Sequence, residues 1–68
     1  MQNLQSTLFN KILTVVHNPG ALAEDLVKLL DISKDSAYRR LKGEKQLSFD
    51  ELVIIAQAYD LSLDDLLD

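Results

Sequence analysis

Apolar residues recur every three or four positions along almost the whole chain, and nowhere do they alternate with polar residues as in a β-strand. This spacing places apolar side chains along one face of a helix. It predicts an all-α protein and leaves no segment for a sheet. The first segment shows the pattern in a stripe of Leu4, Leu8, Ile12, Val15 and Val16, with Phe9 and Leu13 at its edge.

Helix start and stop signals divide the first two thirds of the chain into three helices. Asn18 can cap a second helix, and Pro19 suits its first position because the missing N–H would have no partner there. This helix ends at Asp31. Ser33 caps a third helix that runs to about Lys42 and is terminated by Gly43. The second helix is expected to turn these side chains inward, with Val27 beside them: Leu22, Leu26, Leu29 and Leu30.

The remaining third of the chain predicts two more helices. Ser48 and Glu51 have the spacing of a capping box, and Leu47 and Leu52 flank the cap as a hydrophobic staple does. Residues 61–66 repeat the arrangement for a short fifth helix. On the fourth helix, a rotation of about 100° per residue turns Ile54 outward. The same rotation turns the following residues toward the core: Leu52, Ile55, Ala56 and Tyr59.

Length and composition restrict the class of protein. A chain of 68 residues forms a single domain, residues 1–68, and 47% hydrophobic with 26% charged residues is typical of a globular one. The absence of cysteine excludes disulfides and thiolate metal sites. The sequence contains no apolar run near 18 residues and no signal-peptide pattern, so we expect a cytoplasmic protein that does not insert into membranes.

Charge is distributed unevenly along the chain. The formal net charge is −4, yet residues 33–47 hold five of the seven basic residues and only two acidic ones. The segment 48–68 carries six acidic residues and no basic one. A local basic strip can attract a polyanion at short range because salt screens distant acidic groups. The alternative is that Arg39 and Arg40 form ion pairs with the acidic C-terminal third.

The segment from Leu26 to Gly43 has the layout of a helix-turn-helix. An apolar helix is followed by the three-residue turn 31–33 and by a capped helix with basic and polar outer positions. In such a motif the second helix can enter the major groove of DNA while the first lies across the backbone.

Residues 25–67 resemble the Cro- and lambda-repressor-like (XRE-type) helix-turn-helix family. The resemblance rests on the run DLVKLLDISKDSAYRRLKG (25–43) and on the run LSFDELVIIAQAYDLSLDDLL (47–67). It implies a five-helix DNA-binding domain with the motif at helices 2 and 3. It also implies a bacterial transcriptional regulator that reads double-stranded DNA with helix 3, about residues 33–42.

Several positions depart from the family pattern. Asp31 stands where the family usually has glycine, because the chain there takes a positive φ. Val27 stands where the family usually has a small alanine, and Ala37 stands where it usually has a branched residue. These two sites face each other between the motif helices, so the exchange of sizes roughly conserves core volume. Arg40 stands where an apolar residue is common. Ala23 stands where a phosphate-contacting glutamine is frequent, so one backbone contact is missing.

The family motif assigns DNA-contacting positions in and after helix 3. Arg39 could hold guanine O6 and N7 with its two-pronged guanidinium, and Asp35 could accept from cytosine N4 or stabilise the helix N-terminus. Tyr38 could fill the core or contact the groove. Lys42, Lys45 and the Gly43 N–H are expected to contact phosphates. The complete expected set is Ser33, Lys34, Asp35, Ser36, Tyr38, Arg39, Lys42 and Lys45.

No pattern in the sequence indicates an enzyme, a cofactor or a metal site. His17 is the only histidine, and without cysteine it has no plausible metal-binding partner. The aspartates 64, 65 and 68 lack the glycine turn and ligand spacing of a calcium loop. The serines have no histidine base placed for nucleophilic catalysis.

A homodimer is expected through helices 4 and 5, because repressor-like motifs usually dimerise to reach successive major grooves. The candidate contacts are Ile54, Ala58, Leu66 and Leu67. The chain is either a compact regulator or the N-terminal domain of a longer one; the segment 38–45 favours the latter. The main alternative function is a helical protein-interaction module that kept the fold and no longer binds DNA. The acidic total, Ala23 and Asp35 favour that alternative.

Overall fold

The computed structural model describes residues 3–67, which form five α-helices and no β-strand. The helices are α1 (Leu4–Val16), α2 (Pro19–Leu30), α3 (Lys34–Lys42), α4 (Phe49–Ala58) and α5 (Leu63–Leu67). The predicted all-α fold is therefore confirmed. None of these helices has the length and apolarity needed to cross a membrane.

The predicted caps fix the helix boundaries. The Asn18 side chain accepts from the Gly20 and Ala21 N–H groups at 2.9 and 3.3 Å, and Pro19 occupies the first position of α2. The Ser33 hydroxyl accepts from the Ser36 N–H at 3.1 Å at the start of α3. These bonds satisfy N–H groups that a helix leaves unpaired at its start.

The caps of α4 and α5 are reciprocal. At α4 the Ser48 hydroxyl accepts from the Glu51 N–H at 3.1 Å, and the Glu51 carboxylate accepts from the Ser48 N–H at 3.0 Å. Ser62 and Asp65 make the same pair of bonds at α5. One of the two acidic residues in each of these first turns, Glu51 at α4 and Asp65 at α5, therefore has a structural role.

Three helices end in left-handed backbone conformations, α1 at His17 with φ 63° and the two helices of the motif. Asp31 ends α2 at φ 54°, as the sequence predicted for the turn of the motif, and Gly43 ends α3 at φ 82°. Glycine adopts this region without steric cost, whereas an aspartate there is mildly strained. The three-residue turn between α2 and α3 is thus formed without a glycine.

The core draws on all five helices, and the buried part of α1 differs from the predicted stripe. Leu8, Phe9 and Ile12 are buried, whereas Leu4 and Val15 are 38% and 77% exposed. The buried apolar residues of the molecule are Leu8, Phe9, Ile12, Leu22, Ala23, Leu26, Ala37, Leu52, Ile55, Ala56 and Leu66.

Two further expectations about single residues need correction. Leu66 was expected on a dimer surface, but it is only 4% exposed because α5 packs its apolar side onto the core. Leu29 and Leu30, expected to point inward, are only half-buried, and of the two Leu30 packs against the core. Ala23, at the position where the family has a phosphate-contacting glutamine, is fully buried.

The contacts between the helices leave one side of α3 without a neighbouring helix. α3 packs chiefly on α2, α4 also packs on α2, and α1 contacts α2 and α5. Ala37 of α3 is fully buried and Val27 of α2 packs against the same core, as the predicted size exchange requires. The outer side of α3 is therefore available for a partner.

Candidate nucleic-acid interface

The outer side of α3 gathers five of the eight predicted contact residues. At about 100° per residue they fall within an arc of roughly 140°. Ala37 and Arg40 lie on the opposite side and are buried. The gathered residues are Lys34, Asp35, Tyr38, Arg39 and Lys42. We call them the α3 face.

Tyr38 is the least exposed member of the α3 face. Its ring is half-buried and packs against the core, and its hydroxyl lies 3.7 Å from the point that a Cβ on Gly20 would occupy. The ring therefore braces α3 against the start of α2. This packing corresponds to the first of the two predicted roles, that of a core residue.

Ser33 and Ser36 lie apart from the α3 face. The Ser33 hydroxyl caps the helix, and the Ser36 hydroxyl accepts from the Arg40 guanidinium on the inner side of α3. Both hydroxyl oxygens are thus engaged within the protein. Neither serine therefore belongs to the α3 face with Lys34, Arg39 and Lys42.

The loop after α3 exposes Lys45 beside the last turn of the helix, where Lys42 is also exposed. The expectation that the Gly43 N–H is available to a phosphate is wrong. It donates to the Arg40 carbonyl at 3.2 Å and so closes the end of α3. The Glu44 N–H likewise donates to the Arg39 carbonyl at 2.9 Å.

Gln5 of α1 holds this loop in place, a role that the sequence analysis missed. Its amide nitrogen donates to the carbonyls of Arg40 and Lys45 at 2.8 and 2.9 Å. Its amide oxygen accepts from the Leu47 N–H at 2.8 Å. All three bonds join residues at least 35 positions apart, so no local pattern could have revealed them. We call these three bonds the Gln5 clamp.

Arg40 is buried and does not belong to the basic strip that the sequence predicted. It is 6% exposed, and its guanidinium lies 3.2 Å from the Glu51 carboxylate of α4. It also donates to the carbonyl and the hydroxyl of Ser36. One of the two arginines therefore pairs with the acidic C-terminal third, as the alternative interpretation held for both.

Glu51 uses its two carboxylate oxygens for two different helices. One accepts from the Ser48 N–H and caps α4, and the other accepts from Arg40 of α3. Burial opposes ionisation of this carboxyl. The hydrogen bonds from Ser48 and Arg40, with the charges of Arg40 and Lys45, outweigh that effect and hold the pKa of Glu51 below its usual range.

Arg39 remains on the outside, where it faces an acid of its own helix. Its Nε lies 3.1 Å from the Asp35 carboxylate, four residues earlier. Within residues 3–67 no ion pair is formed by Lys34, Lys42 or Lys45. The exposed surface from 34 to 45 thus keeps four basic side chains against two acidic ones, Asp35 and Glu44.

A concave groove of about 510 Å³ borders the end of the α3 face. Its walls come from the first half of α1 and the last turn of α3, and they include the polar residues Asn10, Lys42 and Gln46. The groove beside α3 is also lined by apolar side chains, among them Phe9 and Leu41, so its surface is of mixed polarity.

The described chain offers no cluster of three metal-binding side chains. The site is a short helix with one uncovered face. Lys34, Lys42 and Lys45, which form no ion pair in the described part of the chain, lie on this face or in the loop after it, and Arg39 points outward. These groups suit hydrogen bonds to base edges and ion pairs to phosphates.

Comparison with known protein families agrees with this geometry. A family model described as a Cro/C1-type HTH DNA-binding domain matches residues 20–68, which is most of the chain. No curated protein and no solved structure matches significantly. The matched region contains α2 from its second residue, the turn and α3, and thus the whole α3 face. The chain belongs to the Cro/C1-type helix-turn-helix family of DNA-binding domains.

Proposed function

We propose that the protein binds double-stranded DNA in a sequence-specific manner, with α3 in the major groove, and that it regulates transcription. The observation that carries this proposal is the α3 face. No other helix among residues 3–67 covers this face, which carries Lys34, Arg39 and Lys42, while the opposite side of α3 is anchored in the core. A helix anchored in this way can enter a groove without rearrangement of the domain.

The basic residues divide into two roles. Arg39 projects from the middle of α3 and supplies the paired N–H groups that suit guanine O6 and N7. Lys42 and Lys45 lie at the end of α3 and in the following loop, where they would meet phosphates and set the register of the helix. Lys34 stands at the first turn and can meet either a phosphate or a base edge.

Selection of bound sequences from a pool of random duplexes tests the proposal. The wild-type protein is expected to enrich a short motif. Arg39→Ala is expected to lose the preference at one base pair, whereas Lys42→Ala weakens binding to all sequences alike. Enrichment of no motif, with equal binding to all duplexes, would contradict sequence-specific recognition.

A second copy of the chain is the partner that we propose for the outer side of α4 and α5. Ile54 and Leu67 are 41% and 70% exposed, and Ala58 is exposed on the same part of α4. A twofold arrangement would let two α3 helices reach major grooves about 34 Å apart. Sedimentation at micromolar concentration measures this association, with and without a duplex that carries two half-sites. A monomer under both conditions would contradict it.

The alternative function is protein interaction without DNA. Two observations support this alternative. Arg40 is buried in an ion pair with Glu51, and Asp35 lies among the basic side chains of the α3 face. Failure to bind any duplex at about 50 mM salt would favour this alternative, because electrostatic attraction is strong at low salt.

A further inference from the structure

Asp35 and Arg39 form an ion pair one turn apart on the α3 face. The Arg39 Nε lies 3.1 Å from Asp35 Oδ2, and the two side chains are 60% and 79% exposed. Exposed pairs of this kind add little to stability because water screens them. The more informative feature is the position of the pair, on the uncovered side of the helix proposed to meet DNA.

The contact uses only part of the guanidinium. Arginine carries five N–H donors in a rigid plane, and a carboxylate at Nε leaves the two terminal nitrogens with donors to spare. Two adjacent N–H groups can donate together to O6 and N7 of guanine. Among residues 3–67 Arg39 has no other ion-pair partner, so its terminal nitrogens are not claimed by a second acid.

We propose that Asp35 is a positioning residue that sets the base preference of Arg39. This inference rests on the proposed function, since it requires α3 to lie in the major groove. The carboxylate holds the guanidinium at one edge and directs the opposite edge away from α3, toward a guanine. Without the carboxylate, Arg39 samples more rotamers and can reach a phosphate instead, which carries no sequence information.

The carboxylate also lowers affinity for DNA in general. It places a negative charge on a surface that faces phosphates, and this disfavours every duplex on which Arg39 does not gain a guanine. Removal of the charge should therefore strengthen non-specific binding and weaken discrimination at the same time. If Asp35 only stabilised the N-terminus of α3, its removal would not both strengthen non-specific binding and weaken discrimination.

The matched control is Glu44→Gln. Glu44 is exposed in the loop beside the α3 face and has no ion pair among the described residues. Its substitution removes one negative charge near DNA without touching Arg39. Asp35→Asn and Glu44→Gln should therefore raise affinity for random duplex DNA by a similar factor, about two- to threefold for one charge at low salt. Only Asp35→Asn should change base preference.

The experiment compares binding to the duplex selected by the wild-type protein with binding to its three single-base variants at each position. Asp35→Asn is expected to reduce the preference for guanine at one position by about fivefold or more, a part of what a bidentate contact supplies. Asp35→Glu keeps a carboxylate within reach and is expected to retain most of the preference. In the Arg39→Lys background, Asp35→Asn should have no further effect at that position, since lysine has no planar pair of donors.

The outcomes separate the inference from the proposed function. A wild-type protein without base preference overturns both. A wild-type preference that Asp35→Asn leaves intact overturns the inference alone, whatever happens to the unfolding midpoint. An effect of Asp35→Asn that persists in the Arg39→Lys background assigns Asp35 to a direct base contact, such as cytosine N4, and also overturns the positioning role.

Discussion

Arg40 shows how a single residue can be charged and still belong to the interior. It occupies a position where the family usually has an apolar side chain, and its burial would be costly without Glu51 and Ser36 to accept its hydrogen bonds. Its Nε is buried without a partner among residues 3–67. The Arg40–Glu51 pair therefore joins α3 to α4, but it is not the arrangement of greatest stability at this site.

The two partners of this pair should respond differently to substitution. Glu51→Gln keeps an acceptor for the Ser48 N–H but leaves the buried Arg40 charge uncompensated, so we expect a loss of about 2–3 kcal/mol in the free energy of unfolding. Arg40→Met replaces the charge with an apolar chain and should cost less, because the remaining Glu51 side chain is 24% exposed to water.

Urea denaturation at pH 7 measures both variants. Asp50→Asn, in the same first turn of α4, is the matched control; Asp50 is exposed and makes no ion pair among the described residues. Its effect should stay within about 0.5 kcal/mol. Equal losses for Glu51→Gln and Asp50→Asn would show that the ion pair does not contribute to folding.

The lowered pKa of Glu51 makes part of the stability depend on pH. A carboxyl whose pKa in the folded state lies below the ordinary value of 4.5 contributes stability above about pH 4.5, and this is lost as the pH falls through the folded-state pKa. The difference in urea midpoint between the wild-type protein and Glu51→Gln should therefore be smaller at pH 3 than at pH 6. A gap that stays constant over this range would contradict the pKa shift.

At the scale of helices and loops, the decisive features are the two connections that orient α3. The turn before it depends on Asp31 in a left-handed conformation, and the loop after it depends on the Gln5 clamp. The first connection is local in sequence and the second spans the chain. Both fix the direction in which the α3 face points.

Substitution of Gln5 should loosen the loop after α3. Gln5→Ala removes three hydrogen bonds and leaves the Leu47 N–H without its acceptor, which should cost about 1–3 kcal/mol. Amide hydrogen exchange at Leu47 should become markedly faster while exchange within α2 changes only with global stability. Gln57→Ala, at an exposed site on α4, is the control. Unchanged exchange at Leu47 would mean that the clamp is absent in solution.

Asp31 offers a test of backbone strain in the turn. Asp31→Gly relieves a non-glycine residue at φ 54° and is expected to stabilise the protein by about 0.5–1 kcal/mol, net of the extra freedom of glycine in the unfolded chain. Asp31→Ala should destabilise it, because alanine lacks the short polar side chain that eases this conformation. Thermal unfolding measures both. A glycine variant less stable than the alanine variant would refute the strain.

At the scale of the whole molecule, local signals predicted the fold well. Asn18, Ser33, Gly43 and Ser48 mark helix boundaries because their bonds reach only two to four residues along the chain. The core side of α1 was partly misassigned, since a wide apolar stripe does not reveal which part another helix will cover. Leu4 and Val15 are consequently exposed, while Phe9 is buried.

The candidate site was predictable in outline only. The basic run placed Lys34, Lys42 and Lys45 at the surface, where the structure has them. The burial of Arg40 depends on a partner eleven residues away on another helix, and the Gln5 clamp depends on partners at least 35 residues away. Such contacts are consequences of helix packing, which spacing along a sequence does not contain.

Charge segregation at this scale gives the domain a basic side on an acidic body. With Arg40 buried against Glu51, the basic side has Lys34, Arg39, Lys42 and Lys45, and the acidic residues between 48 and 67 lie on α4, α5 and the turns beside them. Such a molecule should bind DNA in one orientation, with attraction that salt weakens.

The salt dependence of binding to a duplex tests this account most directly. If three or four basic side chains meet phosphates, the slope of log K against log salt concentration should be about −3 to −4. Lys42→Ala should make the slope less steep by about 1, whereas Lys11→Ala, on α1 near Asp65, should leave it unchanged. A slope near zero, or equal effects of the two substitutions, would contradict DNA binding through the α3 face.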